Sequence, residues 1–218
     1  MRFEEVLRRL EPLPVALPEG PPSLMPMVLG AGGPRPRPGW DTPASSARPA
    51  GVLVLLFPDE RGDARLVLTE RVDRGGHHSG EVSFPGGRAE PGDADIIETA
   101  LREAAEEVGL DPVECGARVL GTLTTQWVPV SNFTVTPVVA VAGRRPTMRR
   151  QPSEVAAIVE APVRAFLPDA PLVHVQREVR GYQLSYSAYP VDGLVIWGMT
   201  ARVLGGLGAH LGRDAEAR

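Results

Sequence analysis

Three glutamates with the chemistry to bind a metal stand within one short stretch, Arg102-Glu-Ala-Ala-Glu-Glu-Val-Gly-Leu110. On a helix, Glu103 and Glu107 lie one above the other, and Glu106 flanks them. Carboxylates this close repel one another, and no basic residue follows them where it would relieve the repulsion. We therefore predict a hard divalent cation on Glu103, Glu106 and Glu107, Mg²⁺ or Mn²⁺, with positions left open for phosphate oxygens. The alternative is a solvated acidic helix face.

The helix that carries these glutamates is predicted over 95–108. Its apolar residues form one stripe that faces a core, namely Ile97, Leu101, Ala104 and Val108. Gly109 stands where a C-cap glycine is expected. Upstream, the stretch 84–87 (Phe-Pro-Gly-Gly) permits close approach of the backbone to a ligand. Arg102 is placed to orient one carboxylate through a bidentate bond.

Gly87, Asp93 and the run 102–110 together resemble the Nudix box, Gly-x5-Glu-x7-Arg-Glu-U-x-Glu-Glu-x-Gly-U, in which U is a bulky aliphatic residue. The last nine positions match except for the small Ala104. Asp93 replaces a glutamate and the spacer before Arg102 is one residue longer, so no specific ion pair between these two residues is predicted. The resemblance implies an α/β (α+β) fold, a Nudix-type α/β/α sandwich with a mixed β-sheet, and metal-dependent cleavage of nucleoside diphosphate derivatives.

The segment before the box is similar to that of the coenzyme A diphosphatase branch of this family. That branch carries Leu-Leu-Thr-x-Arg and then His-x-Gly-Glu-x-x-Phe-Pro-Gly-Gly, and residues 66–71 and 78–87 stand here at the same spacing. Between them, Val72 replaces a serine and Gly75-Gly76 replace Leu-Arg. The resemblance implies hydrolysis of coenzyme A or its derivatives to 3′,5′-ADP and (acyl-)4′-phosphopantetheine.

The predicted catalytic set contains five residues: Glu103, Glu106, Glu107, Arg102 and Glu154. Diphosphate hydrolysis needs charge neutralisation and a positioned water, and metal on the box glutamates would supply the first. Glu154 is our candidate general base, because family members use box glutamates or a later loop carboxylate; its alternative is a surface glutamate at a strand end. Asp93 and Glu98 are weaker candidates.

Six further residues are predicted to bind the substrate: Arg71, Arg74, His78, Phe84, Gly86 and Gly87. A forked guanidinium suits phosphate oxygens, so Arg71 and Arg74 are candidate phosphate clamps, although Arg71 also fits a strand-end surface charge. Trp127 and Phe133 could stack on adenine or belong to the core. Trp197 is predicted to be a core residue.

The rest of the chain divides into an N-terminal helix and Pro-rich arm (1–49), a Nudix hydrolase domain (50–212) and a C-terminal tail (213–218). The arm holds 11 of the 23 prolines between Pro12 and Pro49. An irregular segment on the domain surface and a docking peptide for another subunit both fit it. Strands are predicted at 51–57, 65–71, 81–84, 116–126, 133–142, 172–178 and 181–189, and helices at 2–10 and 193–211. Residues 154–160 fit either a strand or a helix, and 162–167 form a helical turn.

Composition limits the partners. A net charge of −4 disfavours a nucleic acid partner, and the absence of Lys excludes a Schiff-base or P-loop lysine. The single cysteine, Cys115, excludes an intramolecular disulfide. No apolar stretch is long enough to cross a membrane. We expect a cytoplasmic enzyme with a small nucleotide substrate, no membrane partner and, since dimers are common for this resemblance, a homodimer as one option. One alternative is a hydrolase of ADP-ribose or another nucleoside diphosphate derivative. The other is a non-catalytic ligand sensor.

Overall fold

The computed structural model describes residues 1–30, 32–35, 46–72, 81–129, 131–179 and 181–213. Arg74 and His78 lie outside these ranges. The described α-helices are α1 (Phe3–Leu10), α2 (Ile96–Val108) and α3 (Gly198–Leu211). The described strands are β1 (Met27–Val28), β2 (Arg48–Pro58), β3 (Ala64–Arg71), β4 (Val82–Ser83), β5 (Gly86–Arg88), β6 (Ala117–Thr122), β7 (Gln126–Val128), β8 (Phe133–Ala142), β9 (Val155–Pro162), β10 (Val173–Val179), β11 (Tyr182–Val191) and β12 (Leu194–Ile196). Among the described helices, none is long and apolar enough to span a bilayer.

The larger sheet has eight strands in the described residues. Its central order is β4-β3-β2-β8-β6, with β5 paired to β2, β7 to β8 and β9 to β3. β2 and β8 run parallel, with Leu53 opposite Val138, whereas the other pairs are antiparallel. The predicted mixed sheet is therefore confirmed.

Successive side chains of β2 point to alternate faces of this sheet and contribute to two separate apolar cores, one on each face. Val52, Val54 and Leu56 pack into the core that includes α3, and we call this side the α3 face. Leu53 and Leu55 pack into the core that includes Ala100, Ala104 and Val108 of α2, which is the α2 face. Both faces of this strand are therefore buried, one under α2 and the other under α3, which gives the helix–sheet–helix layering.

A smaller sheet has the order β1-β11-β10, with β12 paired to β11. Its Tyr186 ring stacks on Trp197 at 4.8 Å between centroids, and the Arg177 guanidinium lies 4.1 Å above the Trp197 ring. Trp197 was predicted to be a core residue, but it is only partly buried, because it closes this small aromatic cluster rather than either main core.

Two predicted elements are wrong in extent. The strand predicted over 116–126 is divided into β6 and β7, and the register already shifts between Val119 and Gly121. The helix predicted from 193 begins at Gly198, because β12 comes first and pairs with β11. Asp192 and Gly193 have positive φ angles of 49° and 81°, which suit a two-residue hairpin turn. The ambiguous segment 154–160 belongs to strand β9.

The described part of the proline-rich segment lies against the domain. Leu24 is 1% exposed within the core of the α3 face, and β1 pairs with β11. Gly20 lies so close to α3 that a Cβ added there would stand 2.6 Å from the carbonyl carbon of Gly205. Residues 31 and 36–45 of the predicted arm lie outside the described residues.

Candidate functional site

Local capping fixes where α2 begins and ends. The Asp95 carboxylate accepts hydrogen bonds from the amides of Ile97 and Glu98, both at 2.9 Å. Gly109 ends the helix with φ of 63°, a left-handed conformation that glycine adopts without strain. The Glu98 carboxylate accepts from the Ala94 amide at 2.6 Å. Glu98 therefore takes part in the helix start, and the structure does not bring it to the other glutamates.

Asp93 and Arg102 form a bidentate ion pair that the sequence did not predict. Arg102 Nε donates to Asp93 Oδ1 at 2.9 Å, and Nη2 donates to Oδ2 at 3.1 Å. Asp93 also accepts from the Glu90 amide and the Thr99 hydroxyl. The Arg102 guanidinium and these donors hold the pKa of Asp93 well below its usual range. Asp93 is thus ionised and fully engaged, which suits a positioning role and not that of a base.

Arg102 extends this network to the glutamates of the helix. Its Nη1 donates to Glu103 Oε1 at 3.1 Å and to both carboxylate oxygens of Glu106 at 3.3 Å. Its Nη2 also donates to the Arg88 carbonyl at 3.1 Å. Asp93, and then Glu106 and Glu103, raise the pKa of Arg102 further above its ordinary value. The guanidinium therefore fixes the Glu103 carboxylate relative to β5.

Glu107 is the most buried carboxylate of the helix, with 4% of its surface exposed. Its Oε2 accepts from the Gly86 amide at 3.1 Å, and Arg71 Nη1 lies 3.8 Å from Oε1. Burial raises the pKa of Glu107 to about 7, and the negative charges of Glu103 and Glu154 act in the same direction. The contacts with Gly86 and Arg71 oppose this effect but do not cancel it.

Glu103 faces the second glycine of the pair on β5. A Cβ placed on Gly87 would stand 2.5 Å from the Glu103 carboxyl carbon, so only glycine allows this approach. Burial raises the pKa of Glu103, and the neighbouring charges of Glu106 and Glu154 contribute to the rise. The structure therefore brings together Glu103, Glu107, the glycine pair, Arg71 and Glu154.

Other predicted site residues lie apart from this group. Glu106 has 60% of its side chain exposed and turns toward Arg102. Phe84 is 1% exposed in the core of the α3 face, so its side chain serves packing. Phe133 is partly buried and carries the Arg48 guanidinium 4.2 Å from its ring centroid. Trp127 is also partly buried, in β7.

The donor set at Glu103 and Glu107 fits a divalent cation. Within the described residues, no three His, Cys, Asp or Glu side chains are grouped closely enough to form a complete metal cage. Mg²⁺ needs no such cage, since one or two carboxylates suffice when water and substrate phosphates supply the other ligands. Burial is the main cause of the raised pKa of both glutamates, and a bound cation would offset it by stabilising their ionised forms. Glu106, turned to solvent and Arg102, is the least well placed of the three predicted ligands.

The NUDIX domain matches residues 47–180. The chain belongs to the Nudix family. It is 38% identical to Nudix hydrolase 15, mitochondrial, of Arabidopsis thaliana over 164 residues, which cover 71% of this chain and 55% of that protein. It is 34% identical to the uncharacterized Nudix hydrolase NudL of Yersinia enterocolitica over 175 residues, which cover 78% and 84% of the two chains.

These matches extend over different shares of the relatives. The chain spans about half the length of the two Arabidopsis proteins that it matches, of which the second is Nudix hydrolase 22, chloroplastic. Among solved structures, a Nudix hydrolase from M. smegmatis, RenU, is 24% identical, with a TM-score of 0.47 over 64% of this chain and 80% of that one. The matched region 47–180 contains every residue of the candidate site.

Sequence reasoning missed two contacts of this site. The Asp93–Arg102 pair was not predicted, although an acid two residues before the N-cap Asp95 is a usable signal. The hydrogen bond from the Gly86 amide to Glu107 leaves no trace in side-chain identities, because any residue but proline offers that amide.

Proposed function

We propose that this chain is a Nudix diphosphatase that uses Mg²⁺ or Mn²⁺ to hydrolyse the diphosphate bond of coenzyme A or its derivatives. The products would be 3′,5′-ADP and (acyl-)4′-phosphopantetheine. One observation carries the proposal: the carboxylates of the partly buried Glu103 and the buried Glu107 lie against the glycine pair of β5, and Arg71 lies beside Glu107. This group combines the anionic ligands that a cation needs with a cation that can bind phosphate.

The residues of the chain take distinct parts in this reaction. A divalent metal, when bound, neutralises phosphate oxygens and lowers the pKa of a water molecule. Glu103 and Glu107 would hold it, with Glu103 oriented by Arg102 and Glu107 by the Gly86 amide. The Arg71 side chain, 42% exposed, is free to reach a phosphate group.

Glu154 is the residue we assign to accept a proton from the attacking water. It is exposed and close enough to Glu103 and Glu107 for its charge to raise the pKa of both. Its backbone carbonyl accepts from the Val72 amide at 2.9 Å, which ties it to the end of β3. In the reaction, the water oxygen bonds to one phosphorus and the bridging P–O bond breaks. Each product keeps one of the two phosphates of the diphosphate, and 3′,5′-ADP also keeps its 3′-phosphate.

The coenzyme A specificity depends on the segments that flank the loop after β3. Leu66–Arg71 and 78–87 resemble the coenzyme A diphosphatase branch, and Arg71 stands at the end of that match. Arg74 and His78, which we also propose as substrate contacts, lie outside the described residues. ADP-ribose and other nucleoside diphosphate derivatives share the diphosphate and are the competing substrates.

Product analysis tests both parts of the proposal. The full chain is incubated with coenzyme A, ADP-ribose or a dinucleoside polyphosphate, each with Mg²⁺, Mn²⁺ or EDTA. We expect 3′,5′-ADP from coenzyme A, and no product with EDTA. Glu103→Gln and Glu107→Gln should each lower the rate about 100-fold or more. Glu60→Gln, on the exposed turn between β2 and β3, is the matched control and should keep the parental rate.

The outcomes separate the site from the substrate. Cleavage of ADP-ribose without cleavage of coenzyme A would refute the specificity and keep the chemistry. Nucleotide binding without turnover of any substrate would instead favour a ligand sensor. A double variant of Glu103 and Glu107 that hydrolyses as fast as the parent would refute the site itself.

A further inference from the structure

A cavity lies on the α3 face of the large sheet, opposite the face that carries α2 and its glutamates. It has a volume of about 380 Å³. Three parts of the chain line it: residues 17–25 of the N-terminal segment, the stretch 123–126 that follows β6, and helix α3. This volume lies within the usual range of small-molecule sites. None of the residues assigned above to diphosphate hydrolysis lines it.

The wall between the N-terminal segment and α3 is a tight backbone contact. A Cβ added to Gly20 would stand 2.6 Å from the carbonyl carbon of Gly205, and one added to Gly206 would stand 3.0 Å from the Pro18 carbonyl oxygen. Glycines on both sides thus allow the two backbones to meet. The cavity is therefore bounded by fixed main chain and not by side chains alone.

Arg202 is the cation of this cavity. Its side chain is partly buried, and burial lowers the pKa of its guanidinium below the ordinary value. Within the described residues, no carboxylate lies within ion-pair distance of it. Glu19, which also lines the cavity, is exposed. A desolvated guanidinium without a counter-ion is unfavourable, and it is suited to a bidentate bond with an oxyanion.

The remaining lining is largely apolar. Leu24, Leu123 and Val203 are buried in the core of the α3 face and present carbon to the cavity, and Leu17 packs against them. A ligand that satisfies both features has one charged end and an aliphatic body. We propose that this cavity binds a small organic oxyanion, a carboxylate or phosphate monoester on a short aliphatic chain, with the oxyanion on Arg202.

Calorimetric titration of the full chain with simple probes tests this site. Hexanoate and hexyl phosphate carry the two possible oxyanions on the same chain, and hexanol lacks the charge. We expect at least one anion to bind, and hexanol to bind about tenfold more weakly or not at all, because a hydrogen bond to a charged group is worth about one order of magnitude or more in affinity. Which of the two anions binds shows whether the cavity recognises a carboxylate or a phosphate ester.

Two variants test whether the anion binds in this cavity. Arg202→Gln should weaken the anion about tenfold or more, whereas Arg164→Gln, exposed on the 3-10 helix Val163–Phe166, should leave it unchanged. Met25, 41% exposed at the rim, offers a second test that leaves Arg202 in place: Met25→Trp should obstruct the mouth and also reduce binding.

Three results would overturn the site. These are no binding of either anion, hexanol binding as tightly as the anions, or anion binding that neither Arg202→Gln nor Met25→Trp reduces. Circular dichroism of each variant confirms folding, and Met25→Trp decides the question if Arg202→Gln does not fold. Loss of diphosphatase activity is not a readout here, so the result is independent of the proposed function.

Discussion

Glu107 is the residue whose surroundings oppose its charge most strongly. Its carboxylate is 4% exposed, and the only hydrogen bond described for it comes from the Gly86 amide. A buried carboxylate with so little compensation favours the protonated form. Ionisation of Glu107 in the folded protein therefore costs free energy. A bound cation would offset this cost because it stabilises the ionised form.

This penalty makes folding stability depend on pH. The pKa of Glu107 is raised from 4.5 to about 7, so between these values the folded state binds more protons than the unfolded state. Stability must then fall as the pH rises through this window. Urea unfolding in EDTA from pH 4.5 to 7.5 should show wild type losing up to about 3 kcal/mol relative to Glu107→Gln.

Glu106→Gln is the matched control for this measurement. It lies next to Glu107 on the same helix, but 60% of its side chain is exposed, so this substitution removes no buried carboxylate. The stability of the Glu106→Gln variant should follow that of wild type across the pH range. Parallel curves for wild type and Glu107→Gln would contradict the burial argument.

Sequence spacing predicted α2 well because its determinants are local. The predicted helix 95–108 agrees with Ile96–Val108, and Asp95 and Gly109 cap it from within the same stretch. β6, β7 and β12 were missed or merged because strand ends are set by pairing with another strand, such as β8 for β6 and β7 and β11 for β12, and not by the local residue pattern alone. The glutamates could be predicted as a group, but their unequal burial depends on β5, which the helix pattern does not contain.

The close approach of α2 to β5 gives a prediction at the scale of these elements. Gly87→Ala places a methyl group 2.5 Å from the Glu103 carboxyl carbon, and that carboxylate must move because it ends a flexible side chain. We expect hydrolysis to fall about 100-fold, with little change in thermal stability. Gly92→Ala, where an added Cβ meets nothing within 4 Å, is the matched control and should keep its activity.

The two measurements together distinguish a displaced carboxylate from a damaged fold. A Gly87→Ala variant that unfolds at a much lower temperature would show that β5 and not Glu103 had given way. A variant with parental activity would show that the position of Glu103 against Gly87 is not required for hydrolysis.

At the scale of the whole molecule, the N-terminal segment is part of the packing of the domain. Composition alone described it as a proline-rich arm, because its prolines hide any helical or strand period. The burial of Leu24 depends on α3, where Gly205, 181 residues later in the sequence, lets the segment approach. Such a contact between distant parts of the chain leaves no local pattern, so the sequence could not predict it.

Leu24→Ala measures how much this segment contributes to folding. Leu24 is 1% exposed in the same core as Val203 and Leu204 of α3, so truncation removes buried carbon and leaves a cavity. Urea unfolding should show a loss of about 2–5 kcal/mol in a single transition. Val15→Ala, in the same segment but 88% exposed, should change stability by less than about 0.5 kcal/mol. Equal, small effects of both variants would mean that the segment does not share the cooperative core.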